Sequence, residues 1–309
     1  MTTLKIIGGS YVTAKRNLII NTYQNHSIEH GLNFHINSSV ISPDSSTLFT
    51  TSGMQQYKSL YDDLNYQNTF TNIQQCLRIN DLEEIGDGTH FLSFEMIGIF
   101  SFREWSLKKT IDFMYGFLEK IGITPDYVTI HPDKYEEWRH LYDEYNIDIK
   151  LDNECVWSDG NIGGYCTEFY KNDVEIGNIV NTMGTCIDVG FGLERLLEVT
   201  DSLKSKTKLQ ILEETCLLLL NNGIKVGNNK QGYILKKLIT ESVLEGSQLN
   251  NIEFIKIKEN QKRAYETYLR KKNHKKFIDK DDLFWLDTYG FNLKIIDKYE
   301  IIFDIFEKD

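Results

Sequence analysis

Proline is nearly absent, with three residues (43, 125 and 132) in a chain of 309. With no repeat and no low-complexity block, this excludes a protein built of linkers or extended proline-rich segments. Long hydrophobic runs are missing too. The longest, around Leu217-Leu218-Leu219-Leu220, falls far short of the ~18 apolar residues that a membrane helix needs. Cysteine is sparse, at five residues (76, 155, 166, 186 and 216), an odd count with no CxxC pair. The expectation is reduced thiols in a cytoplasmic protein, with neither a disulfide framework nor a zinc site. The opening MTTLKIIGGSYVTAKRN has no apolar core or small-residue cleavage site, which argues against export.

What is present suffices for a large core. Hydrophobic residues make up 41% and aromatic ones 12%, including 17 Tyr and 17 Phe, a composition outside the disordered range. The net charge of −11 is unevenly placed. Residues 1–200 carry 14 basic against 28 acidic residues, 201–309 carry 20 against 17, and 230–280 carry 13 against 6. This describes an acidic body with a locally basic appendage, the basic stretch being either a solvated helix face or a surface for a polyanion.

Ile111, Met114, Leu118 and Ile121 recur at helical spacing and predict a helix over 108–121. YVTI (127–130) has strand composition, and 133–145 returns to helical period through Tyr135, Trp138 and Tyr142. FLSFEMIGIFSF (91–102) and DVEIGNIVN (173–181) read as sheet strands. A helix over 207–222 stops at Gly223, and the pattern from 230 onward is mainly helical. Mixed strands and helices to about residue 200, then helices, predict an α+β body followed by a smaller helical domain.

Three stretches point to chemistry. In CLRINDLEEIGDGTHFLSFEM (76–96), a strand ends in Arg78, a polar loop follows, and the return strand begins at His90-x-x-x-Phe94. Such a hairpin sets Arg78 and His90 side by side, with Phe94 further along one face. A guanidinium suits a phosphate because its planar fork bonds two oxygens and stays charged, and an aromatic ring suits a purine. An ordinary hairpin with a surface arginine and a core phenylalanine reads the same way. In IDVGFGLERLLEV (187–199), a strand passes into a helix at Glu194 and Arg195, with Gly190 and Gly192 permitting close approach to the backbone. Neither a third spaced glycine nor a Lys-Ser/Thr pair follows, so this is neither the dinucleotide fingerprint nor a P-loop. In VEIGNIVN (174–181), Glu175 and Asn178 are polar in an apolar strand. A buried carboxylate there needs a cation or donors, supplied by a metal-bound nucleotide, a substrate amine or a structural network.

Together, the Arg-loop-His-x-x-x-Phe hairpin and the strand–helix GxGxER resemble motifs 2 and 3 of class II aminoacyl-tRNA synthetases. The resemblance narrows to the alanyl-tRNA synthetase family through Thr50-Thr51-Ser52-Gly53-Met54, NDLEEIG (80–86), FEMIGIFSF (94–102), CTEFY (166–170), EIGNIV (175–180), DVGFGLER (188–195), QGYILKKLI (231–239) and LDTYGF (286–291). It covers roughly residues 10 to 300.

The resemblance implies an antiparallel synthetase sheet flanked by helices over 1–200, then a helical domain over 201–309 that resembles the family's acceptor-stem-recognising domain. It implies ATP and Mg²⁺, a small amino acid (alanine first), and tRNA as acceptor. By that carry-over Arg78 holds the α-phosphate, Arg195 and His90 the γ-phosphate end, and Phe94 stacks on adenine. Glu175 or Glu194 ligates Mg²⁺, with Glu194 at the ATP site. Asp188 and Asn178 hold the substrate's ammonium, with Met54 and Trp157 beside the amino acid. Asp287 falls on the family's acceptor-stem Asp, and strict spacing puts Lys230 where the family has its partner Asn.

The chain also departs from the family pattern. Its motif 2 loop is shorter, and Gly177 replaces the Trp of EIWN. ECVWSDGNIGGYC (154–166) replaces FWxMGDTGPCGPC, leaving Trp157 as a displaced counterpart. Gly177 and the altered segment are expected to leave extra room in the pocket. Asp309 falls before the family's editing domain and oligomerising tail, as in a truncated form or a paralogue. Three functions are compatible: a synthetase, a paralogue passing the activated amino acid to a carrier protein or biosynthetic acceptor, and a non-catalytic RNA-binding relative.

Overall fold

Alternation along β2 (Asn68–Leu77) and β3 (Ser93–Phe102) explains the architecture. Ile73, Ile97 and Ile99 point to one face of the sheet and enter the main core, while Asn72, Met96, Gly98 and Phe100 occupy the other. A period of 2 forces this division. The computed structural model describes residues 9–43, 47–86, 90–200, 206–274, 277 and 280–304.

In chain order the strands are β1 (Asn33–Asn37), β2, β3, β4 (Tyr127–Ile130), β5 (Asp148–Leu151), β6 (Val156–Asp159), β7 (Ile162–Lys171), β8 (Val174–Thr182) and β9 (Cys186–Gly192). They form, among the described residues, one nine-stranded sheet of order β1-β2-β3-β9-β8-β7-β4-β5, with β6 pairing β7. The ladders from β2 through β9, β8 and β7 to β4 are antiparallel, and β1–β2 and β4–β5 are parallel. A two-residue turn joins β7 to β8, with Asn172 and Asp173 at φ 53° and 60°, the left-handed pair that a tight hairpin demands.

The helices are α1 (Gly9–Glu29), α2 (Lys58–Asp62), α3 (Leu107–Lys120), α4 (Tyr135–Trp138), α5 (Leu193–Glu198), α6 (Lys208–Asn221), α7 (Lys230–Leu244), α8 (Ile252–Lys271), α9 (Asp282–Tyr289) and α10 (Ile296–Asp304). Ile19 and Tyr23 of α1, Ile111, Met114, Phe117 and Leu118 of α3, and Leu193, Leu196 and Leu197 of α5 cover the isoleucine face of the sheet. The Tyr23 hydroxyl donates to the Gly98 carbonyl at 2.8 Å. The expected helix over 133–145 is instead a broken run, with one short α-helical turn between 3₁₀ segments. Pro132 starts it, Asn146 (φ 45°) ends it, and the Tyr142 hydroxyl lies 2.7 Å from Thr167 Oγ1. Apolar spacing cannot separate these tighter turns from an α-helix.

The chain divides into two units, residues up to 82 with 93–205, and 83–92 with 206–309. The first holds the sheet. In the second, α6 begins with a capping box from Thr207 and Gln210, and Trp285, Phe291, Tyr299 and Tyr265 form an aromatic core. No helix among the described residues is long and apolar enough to cross a membrane.

Candidate active site

The face of the sheet opposite the isoleucine core gathers most of the predicted residues. On β9, Asp188, Gly190 and Gly192 share it, while Ile187, Val189 and Phe191 go to the core. Asp188 lies opposite Phe100 of β3 and Val180 of β8, and Gly192 lies opposite Met96. Asn178 of β8 stands opposite Gly190 on one side and Glu168 of β7 on the other.

Asp188 is 9% exposed, and burial pushes its carboxyl up to about 7. No ion pair reaches it among the described residues. A carboxylate removed from water without a cation is costly, so the position favours a ligand that brings positive charge. Nearby, Tyr61 is buried with no partner for its hydroxyl among the described residues, and its proton is held more tightly by burial and by the Asp188 charge.

The middle of this face carries glycines with neighbouring side chains lying over them. A Cβ on Gly98 would come within 2.7 Å of Asn72 Oδ1, and one on Gly190 within 3.1 Å of Met96 Sδ. Asn72 is fully buried, and neither polar atom of its carboxamide has a partner among the described residues. This side chain was missed in the sequence. The available signal was that Asn72 and Gln74 share a parity with Cys76 on a strand that leads to Arg78.

At the other end the arginines appear. Arg78 Nε donates to the Thr51 carbonyl at 3.1 Å, and its guanidinium lies 4.9 Å from the centre of the Phe94 ring. The Thr-x-x-Gly-Met stretch is thereby tied to Arg78. The Arg195 stem runs against Gly192, and Nη1 donates to Glu175 Oε2 at 2.7 Å. Glu194 Oε2 accepts the Glu95 backbone N–H at 2.9 Å. From Asp188 to Gly192 is four residues of strand, or ~13 Å.

Other predicted residues lie elsewhere. Met54 is fully buried among Tyr61, Phe70, Phe100 and Phe102. Trp157 on β6 packs against that cluster and against Cys155, Cys166 and Val180. The β2–β3 ladder ends at Leu77–Ser93, so neither Arg78 nor His90 is in it. His90 belongs with segment 83–92 in the second unit, 3.3 Å from Glu84, and residues 87–89 of the loop lie outside the described residues. Asp287 is exposed on α9, and Lys230 is exposed at φ 47° at the start of α7. Gly177 does not open the pocket. It belongs to the helix-facing side, where a Cβ would sit 2.3 Å from Phe191 Cγ, so the ring occupies the space that the missing side chain leaves.

Residues 19–166 match the family model described as class II (A) tRNA synthetases. Over that stretch the chain is similar to class II tRNA synthetases. Within that class it is similar to alanine–tRNA ligases. It is 25% identical to that of Buchnera aphidicola over 292 residues (67% of this chain, 33% of that one) and 27% identical to that of Francisella philomiragia over 370 residues (91% and 42%). The chain thus spans a third to two fifths of the length of these relatives. Apo histidyl-tRNA synthetase of S. aureus overlaps at a TM-score of 0.44 with 13% identity, covering 69% of this chain and 78% of that one.

Proposed function

We propose that this chain activates a small amino acid with ATP and passes it to tRNA. The reading rests on one observation: a sheet face with a cation-seeking carboxylate, Asp188, towards one end, arginines at the other, and Gly190 and Gly192 on the strand between. The ~13 Å between the ends suits an amino acid lying in line with a nucleoside triphosphate.

In this reading Asp188, helped by Asn178, holds the ammonium, and the substrate carboxylate is left facing the nucleotide. One carboxylate oxygen attacks the α-phosphorus in line. The new O–P bond forms as the bridge to the β-phosphate breaks, giving aminoacyl-adenylate and pyrophosphate. No protein nucleophile is needed, so catalysis is positioning and neutralisation of phosphate charge. Arg78 moves from the Phe94 ring onto the α-phosphate and adenine takes its place on the ring. Arg195 holds the γ-phosphate end. Glu175 Oε2 accepts from Arg195 and Glu194 Oε2 accepts the Glu95 N–H, and both side chains are carboxylates of the kind Mg²⁺ takes. Mg²⁺ takes one or two carboxylates and keeps several waters, so these residues fit that ion. When bound it would neutralise phosphate charge.

Alanine is the first choice of amino acid and the acceptor stem of its tRNA the first choice of acceptor, with Asp287 and Lys230 facing it. Basic residues of α8 (Lys256, Lys258, Lys262, Arg263, Arg270 and Lys271) would track phosphates; Lys275 and Lys276 lie outside the described residues. Charging alanine tRNA with its G·U pair intact, against one carrying G·C, tests the acceptor. A large preference for G·U supports the synthetase reading. Adenylate formation with neither tRNA charged would overturn it in favour of another acceptor.

A further inference from the structure

Beyond the proposed nucleotide and amino-acid subsites, the same face of the sheet carries a group of two thiols and a carboxylate. Cys155, Cys166 and Glu168 place one ligand atom each within 4.8 Å of one another. The β6–β7 hairpin brings them together. It turns at Gly160 (φ 65°), and the Cys166 amide donates to the Cys155 carbonyl at 2.9 Å. Glu168 follows Cys166 by two residues on β7 and so shares its face. Cys166 Sγ lies 3.8 Å from Glu168 Oε1. For a metal–sulfur bond of ~2.3 Å, tetrahedral ligand atoms stand ~3.8 Å apart, so the group needs little closing.

A second layer orients these ligands. Thr129 Oγ1 accepts from Cys155 Sγ at 2.9 Å and donates to Glu168 Oε2 at 3.4 Å, and the Tyr170 hydroxyl donates to the same Oε2 at 2.9 Å. These contacts hold Oε2 and leave Oε1 to face the thiols, an arrangement typical of the partners behind metal ligands. The cysteines lie 11 residues apart in the chain, so no CxxC spacing announces them.

We infer that Cys155, Cys166 and Glu168 form a zinc site with three protein ligands and a fourth position left to water. Two thiols and one carboxylate favour Zn²⁺ over Mg²⁺, which prefers oxygen alone. Three protein ligands and a water are the arrangement of a site that exchanges its fourth ligand. On binding, each thiol releases its proton to solvent, and two S–Zn bonds and one O–Zn bond form. The site lies two strands from Asp188, through Val180, or ~10 Å along the face. The inference is independent of the amino-acid reading, because metal binding is measured without ATP or amino acid.

The test uses the full chain with Zn²⁺ or Co²⁺ alone. One equivalent of zinc is expected after dialysis, and Co²⁺ is expected to give thiolate-to-metal charge-transfer bands with intense four-coordinate d–d bands. Cys155→Ala, Cys166→Ala and Glu168→Gln should each weaken zinc at least a hundredfold, and Thr129→Val about tenfold. Cys216→Ala, on α6, should bind as the parent does. Cys155 and Cys166 are 0% and 1% exposed, so circular dichroism accompanies each variant. The Co²⁺ spectrum of the unsubstituted chain tests the site whether or not the variants fold. A folded chain without thiolate charge-transfer bands would overturn the inference. So would zinc retained by folded Cys155→Ala, or a Cys155–Cys166 disulfide forming in place of metal binding.

Discussion

Arg195 holds Glu175 twice, through Nη1 to Oε2 at 2.7 Å and to the Glu175 carbonyl oxygen at 2.8 Å. The contact joins the first turn of α5 to the beginning of β8 and fixes the direction in which the guanidinium leaves Gly192. Glu175 is therefore a positioning residue for Arg195 as well as a candidate metal ligand. Arg195→Ala should raise the KM for ATP roughly ten- to a hundredfold, and Glu175→Gln by less. The pair is 35% and 29% exposed, so its loss should change stability by no more than ~1 kcal/mol. ATP titrations beside melting curves check both. A large fall in Tm with ATP binding unchanged would make the pair structural.

Arg78→Ala should lower adenylate formation by ~10²–10³, because in the proposed function Arg78 meets the negative charge that builds at the α-phosphorus. Stability should hardly change, since the lost contacts are one bond to the Thr51 carbonyl and the stack on Phe94. A folded variant with undiminished exchange would remove Arg78 from the mechanism.

Asp188 predicts two pH effects of defined sign. Its folded pKa of about 7 exceeds the ordinary 3.8, so between those values the folded chain binds the proton more tightly than the unfolded one. Stability from this group is complete below about pH 4 and is lost as pH rises through 7, by on the order of 4 kcal/mol. Asp188→Asn should therefore stabilise the chain at pH 8 and not at pH 4. The same variant should raise the KM for the amino acid and leave that for ATP nearly unchanged. In the parent, amino-acid affinity should fall as pH drops below 7, where the carboxylate takes a proton. Melting curves and binding at pH 4 to 8 decide the matter, and an affinity flat across that range would contradict the assignment.

Much of this was legible in the sequence, because alternation and turn residues are local. β3, β4, β8, α3 and α6 follow from periodicity, and Asp188, Gly190 and Gly192 share a face by strand parity alone. What was not legible depends on partners distant in sequence. The loss of an aromatic side chain at Gly177 reads as added space until Phe191 is seen lying over it. Asn72 reads as one polar residue among several until both its polar atoms are found buried without partners. Cys155 and Cys166 meet only because a hairpin folds back. The Arg78–His90 pairing expected from a simple hairpin stops where the ladder does, at Leu77–Ser93.

Gly177→Ala tests the corrected pocket. A Cβ 2.3 Å from Phe191 Cγ has no room, so the variant should lose about 1–3 kcal/mol through overpacking. Denaturant unfolding measures it, and a variant as stable as the parent would show that the ring moves freely. Since Phe191 fills this space, discrimination between alanine and glycine would in the proposed function fall to the other face, where one methylene contributes only ~1–3 kcal/mol.

The most direct measurement is pyrophosphate exchange into ATP with each of the twenty amino acids in turn, on the folded chain with Mg²⁺. The account predicts exchange that depends on a small amino acid, alanine first, and that collapses in Arg78→Ala and Asp188→Asn. Exchange absent with every amino acid, in a chain shown to be folded and to bind ATP, would contradict it.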